Sequence, residues 1–130
     1  MTTDRLKPLL LILGAYQLAL GTFMIVAPGT FFEKIGPYGV QNDHYTRDAA
    51  TFALALGLVL LIAAWRPGWR PAAIAGALFQ YVLHSINHLV DIGEADPESL
   101  GPTNFVLLAL GAALLGWMFV TARRAEESRP

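Results

Sequence analysis

Apolar residues are gathered into four long stretches, each free of Asp, Glu, Lys and Arg: residues 8–32, 49–65, 71–90 and 99–122. A helix needs about 20 apolar residues, in a range of roughly 17–25, to cross a ~30 Å hydrocarbon core. All four stretches meet that length, the second at its lower limit. The pattern predicts an all-α fold: a four-helix transmembrane bundle with helices at about 8–28, 46–65, 71–91 and 102–122, in a single membrane domain spanning 1–130. The first apolar run exceeds the ~7–15 residues of a signal-peptide core and carries no A-x-A cleavage site, so it is read as a retained helix.

Proline, glycine and aromatic residues mark the boundaries. Pro28-Gly29 ends the first helix, because proline lacks the N–H that would continue it. The following segment, up to Asp43, is rich in Gly and Pro and reads as a loop carrying Phe31 and Phe32. Trp65 and Trp69 flank the short turn Arg66-Pro67-Gly68, and Trp117 lies towards the end of the fourth run, as interfacial tryptophans do. Residues 93–101 form an acidic, solvated loop. Small residues recur at four-residue spacing in Ala49, Ala53 and Gly57, in Ala72 and Gly76, and in Ala112 and Gly116. Such spacing lets helices approach closely in lipid and is compatible with a homodimer.

Composition sharpens this picture. The chain is 55% hydrophobic and 15% charged, whereas a soluble domain carries about 25% charged residues. A formal net charge of −1 offers nothing to nucleic acid, and the absence of cysteine excludes disulfides, thiolate metal sites and thiol nucleophiles. With both termini in the cytoplasm, Arg5, Lys7, Arg66, Arg70, Arg123, Arg124 and Arg129 lie inside; only Lys34 and Arg47 lie outside. The positive-inside rule therefore predicts a multi-pass protein of the plasma (inner) membrane with both termini cytoplasmic.

The candidate chemistry collects at the outer side. On the third helix, Gln80, Tyr81, His84, Asn87, His88 and Asp91 follow at steps of one, three or four, so they cluster on one side of the helix. The second helix enters from the same side with His44, Arg47 and Asp48. Ionisable groups within a membrane are costly and are functional candidates. Two imidazoles at i and i+4 chelate one ion, as in the zinc-protease helix, although the glutamate of that motif is absent. The leading expectation is an outward-facing metal site for Zn, Fe or Cu. Its ligands are His84, His88 and His44, with Asp48 or Asp91 as a further ligand or supporting partner, and the protein binds or acts on a lipophilic substrate. Arg47, Tyr81, Asn87 and Gln80 would orient a bound polar group or support the ligands. A b-type haem held by His44 and one histidine of the third helix is an alternative, as is a proton or polar-ligand site. A structural reading stands beside them: Asp48 suits a helix start, where a carboxylate caps free N–H groups, and Arg47 pairs with Asp91 or Glu33. A second functional reading is a non-enzymatic membrane module that binds a lipid, quinone or haem, or assists a larger membrane complex. Gln17, midway along the first helix, is expected to hydrogen-bond to another helix.

Three segments together carry a resemblance: Pro28-Gly29-Thr30-Phe31-Phe32, then Asn42 to Asp48, then His84-Ser85-Ile86-Asn87-His88-Leu89-Val90-Asp91. Their combination resembles small four-helix membrane proteins of actinobacteria within the loosely defined DoxX-like set. That resemblance implies the helix count and the membrane location. The set has no single activity, so it implies no catalytic role. A more distant likeness is to the sterol-isomerase fold, which houses a lipophilic ligand between helices.

Overall fold

The computed structural model describes residues 4–128; Arg129, assigned above to the basic side, lies outside them. The chain is all-α. Four long helices, α1 (Leu6–Val26), α3 (Asp43–Trp65), α4 (Arg70–Val90) and α5 (Leu100–Glu127), are joined by a short helix, α2 (Pro28–Lys34), and a single 3-10 turn at Pro67–Trp69. Three of them, α1, α3 and α5, are long and apolar enough to cross a membrane. The fourth, α4, matches α1 in length but is diluted by Gln80, His84, Ser85, Asn87 and His88. Large apolar side chains lie exposed along all four, among them Ile12, Phe52, Phe79 and Leu107. Such an apolar exterior is compatible with association with a lipid bilayer.

Local chemistry explains the boundaries that differ from expectation. The segment after Pro28 is not a loop at its start: Pro28 sits in the first turn of α2, where its missing N–H costs nothing. Phe31 then packs edge-on against Phe23, with ring centroids 6.2 Å apart. α3 begins earlier than expected because the Asn42 side chain accepts hydrogen bonds from the His44 and Tyr45 amides. Asp48 is therefore not the cap; it lies inside the helix. α5 continues through Ala125, where Arg123 meets Glu126 and Glu127 at i+3 and i+4.

Packing runs through two close helix pairs. α1 lies against α3, and glycine makes that approach possible. A Cβ on Gly57 would stand 2.9 Å from the Gly14 carbonyl oxygen, and one on Gly21 would meet the Ala50 carbonyl oxygen at 3.0 Å. α4 lies against α5, where Gly111 receives the Tyr81 ring; a Cβ there would stand 2.6 Å from a ring carbon. Of the small residues singled out in the sequence, Gly57 is used in this way. Gly76 and Gly116 face open space. Gln17 is buried and donates from Nε2 to the Tyr81 hydroxyl at 3.2 Å, tying α1 to α4 as expected of it.

The buried apolar core lies at one end. Leu6 and Leu10 of α1, Leu60, Ala63 and Ala64 of α3, Ala73, Ile74 and Ala77 of α4, and Leu115, Met118 and Ala122 of α5 form one cluster. Arg70 closes this end. Its guanidinium donates to both carboxylate oxygens of Asp4, at 2.8 and 2.7 Å, and to the Ala63 and Ala64 carbonyls, at 3.2 and 3.0 Å. Those carbonyls belong to the last turn of α3, where no helical N–H is left to satisfy them. Asp4 also accepts from the Lys7 amide. The Arg70 guanidinium holds the Asp4 carboxyl below its ordinary value. Lys7 lies 3.4 Å over the Trp65 ring, a cation–π contact.

Candidate metal centre

The opposite end contains all three histidines. His84 and His88 stand one turn apart on α4, and their Nε2 atoms are 3.1 Å from each other. Helical spacing alone brings the rings together, with centroids 4.7 Å apart. Each outer nitrogen has its own partner: Gln80 Nε2 lies 3.4 Å from His84 Nδ1, and the Tyr38 hydroxyl lies 2.9 Å from His88 Nδ1. The Asn104 amide of α5 donates to the Ile35 carbonyl at 2.9 Å and reaches the Tyr38 hydroxyl at 3.5 Å.

Tyr38 is held from two sides. The turn Gly36-Pro37-Tyr38-Gly39 places Gly39 at a φ of 64°, a left-handed conformation that glycine adopts without strain. Tyr38 forms an isolated antiparallel bridge with Ala95, and the Asp96 amide donates to the Pro37 carbonyl at 3.2 Å. The loops before α3 and before α5 are thus joined beside His88. Next to Tyr38, a shallow open depression of about 390 Å³ is lined by Gly39, Asp91 and Glu94. Its two carboxylates put negative charge beside Tyr38.

The contacts are consistent with one proton arrangement. With Gln80 donating to His84 Nδ1, the neutral His84 ring carries its proton on Nε2 and donates to His88 Nε2. His88 then carries its proton on Nδ1 and donates to the Tyr38 hydroxyl. The 3.1 Å separation also suits chelation. Two nitrogens each about 2.0–2.1 Å from one ion lie about 3.3 Å apart at a tetrahedral angle and about 2.9 Å apart at a right angle. His84 and His88 would hold a metal through Nε2 in their Nδ1–H tautomers, with Gln80 presenting its amide oxygen to His84 Nδ1.

The other expected ligands do not join this pair. His44 contacts Asp48 on its own helix at 3.4 Å, and both side chains are largely exposed. Arg47 donates from Nε to the Ile25 carbonyl at 3.5 Å rather than pairing with Asp91 or Glu33. Tyr81 is engaged by Gln17 between helices, and Asn87 is exposed on α4. Among the described residues, no three His, Asp or Glu side chains converge as a group able to hold a metal ion. Tyr38 and Asn104 are absent from the set expected from sequence. They lie 50 and 16 residues from His88 along the chain. The visible signals are a tyrosine between glycines in a Pro-containing turn and a single amide at the start of the fourth apolar run.

The chain matches no protein-family model, no curated protein and no solved structure.

Proposed function

We propose that this chain is a four-helix integral membrane protein that binds a transition metal through His84 and His88. The contact that carries the reading is the 3.1 Å separation of two Nε2 atoms whose rings are held at Nδ1 by Gln80 and Tyr38. A ligating histidine characteristically donates from its second ring N–H; His88 does so to the Tyr38 hydroxyl, and His84 would do so with the Gln80 amide turned to present its oxygen. Imidazole nitrogens suit Zn, Cu and Fe. Asp91 and Glu94, beside Tyr38, favour a cation near the pair. His44 and Asp48 are left out of this site.

In this reading α4 is the fourth span, and its histidine end faces outward. Six described basic residues at the opposite end support that orientation. The chain has no cysteine, so single substitutions report topology cleanly. An impermeant maleimide should label Glu94→Cys in intact cells and Glu126→Cys only after permeabilisation; the reverse pattern would invert the topology. For the metal, untagged protein in mild detergent should take up zinc saturably, and His84→Ala/His88→Ala should abolish that uptake. Uptake unchanged in the double variant, or absent from the parent, would leave the pair as two imidazoles sharing a proton.

A further inference from the structure

The basic end of the bundle carries a feature unrelated to the histidine pair. An open groove of about 420 Å³ runs between α3 and α4, lined by Val59, Gly68, Trp69, Ala72 and Ala73. Small side chains create it. Gly68 puts nothing at the mouth, and Ala72 and Ala73 give the α4 wall only methyl groups. Val59 lies about 9 Å along α3 from Trp65, so the groove reaches inward from the interface. One turn beyond Ala72, Gly76 faces open space, and the shallow α4 surface continues past the lining residues. Trp65 and Trp69 are exposed beside the mouth, as rings at a membrane interface are.

Charge at this end is unbalanced. Among the described residues its acids are Asp4, Glu126 and Glu127, and each is held: Asp4 by Arg70, and both glutamates by Arg123. Lys7 lies over the Trp65 ring. Arg5, Arg66 and Arg124 are exposed and meet no acid among the described residues. Arg66 immediately precedes the turn that forms the mouth, and its carbonyl accepts from the Trp69 amide at 2.9 Å. A guanidinium without an acidic partner thus stands beside an apolar slot at interfacial depth. The guanidinium offers paired N–H donors that match a phosphate, and the slot offers burial to a hydrocarbon chain.

We propose that this groove seats one anionic phospholipid, with its phosphate on Arg66 and an acyl chain between Val59, Trp69 and Ala72. The proposal shares the membrane placement given above and is independent of the metal site. Charge complementarity selects the lipid, because a zwitterionic headgroup brings its own cation to Arg66. The proposed orientation puts the groove in the cytoplasmic leaflet, which is the anionic one.

The test is quenching of single tryptophans by brominated lipid. The full chain is placed in vesicles of equal parts phosphatidylglycerol and phosphatidylcholine, with bromine on the acyl chains of one lipid or the other. Trp65→Phe/Trp117→Phe leaves Trp69 to report the groove; Trp65→Phe/Trp69→Phe leaves Trp117, on α5 and outside it. Quenching should show phosphatidylglycerol favoured about fivefold at Trp69, the worth of one basic residue at an anionic surface, and much less at Trp117. Arg66→Gln should remove the preference at Trp69 and Arg124→Gln should leave it. Ala72→Phe should weaken it by filling the groove without touching a charge. Equal quenching by the two lipids at Trp69 would overturn the proposal, as would a preference that survives Arg66→Gln or is lost equally in Arg124→Gln. Quenching at Trp117 with none at Trp69 would mean that protein covers the groove, and would overturn it too. Quenching at neither would overturn the membrane placement as well. The unaltered chain supplies a second readout: phosphatidylglycerol should raise its unfolding temperature in detergent more than phosphatidylcholine does, and equal effects would overturn the site.

Discussion

The two ends of this bundle handle polar groups in opposite ways. At the basic end, Arg70 is buried, yet each bond it makes is to a group that needs one: the Asp4 carboxylate and two terminal carbonyls of α3. A tight core of Leu, Ala, Ile and Met from four helices sits beside it. At the histidine end, the chain Asn104–Tyr38–His88–His84–Gln80 is held by neutral side chains alone, with the two imidazole Nε2 atoms 3.1 Å apart. One end is closed by its own ion pair; on the proposed reading the other supplies the metal ligands. Stability is expected to reside mainly in the first and metal binding in the second.

The largest effect should come from breaking the completed end. Arg70→Met strands Asp4 and two helix-terminal carbonyls, and should cost roughly 2–4 kcal/mol; the partial exposure of Asp4 keeps the cost in that range. Thermal unfolding in detergent, followed by tryptophan fluorescence, is the measurement. Trp65, Trp69 and Trp117 all lie towards this end and report on it. Gly111→Ala should follow at about 1–3 kcal/mol, because the added methyl collides with the Tyr81 ring and disturbs its bond to Gln17. The same unfolding experiment checks it.

At the histidine end, Tyr38→Phe removes the hydroxyl that fixes His88 Nδ1. Zinc affinity should fall about 10–100-fold with little change in unfolding temperature, as measured by competition with a chelator. A smaller effect is the acid limb of stability. Arg70 holds the Asp4 carboxyl below its ordinary value. The clasp therefore contributes fully above that ordinary value, and its contribution is lost as pH falls through the lowered one. The half-exposed position of Asp4 makes this limb shallow. It should appear in the parent as a loss of stability on acidification and be missing from Arg70→Met. The smallest effects belong to His44→Ala and Asp48→Ala, each expected within about 0.5 kcal/mol of the parent, with unchanged zinc binding. A large loss from either would erase the contrast between the two ends.

Much of the fold was readable from charge-free runs, since α1, α3, α4 and α5 each correspond to one. The ends were less so. Asn42 caps α3 before its apolar run begins, and α2 forms just after a Pro-Gly pair that reads as a break. The His84–His88 pair was readable because one helix dictates it. The expected convergence of His44 and Asp48 was not, because it depends on how α3 is rotated in the bundle. Gly14, Gly21 and Gly57 set that rotation by letting α1 and α3 meet backbone to backbone. His44 and Asp48 are left paired with each other and exposed. Tyr38 reaches His88 across 50 residues, through a loop–loop bridge that no local pattern announces.

The most direct test of the division between the two ends is the absorption spectrum of bound cobalt(II), which reports nitrogen ligation. It should be recorded on the untagged parent, His84→Ala and His44→Ala at one protein concentration. Matching ligand-field bands in the parent and His44→Ala, with none in His84→Ala, are the predicted result. Bands that survive His84→Ala, or that vanish in His44→Ala, would contradict it.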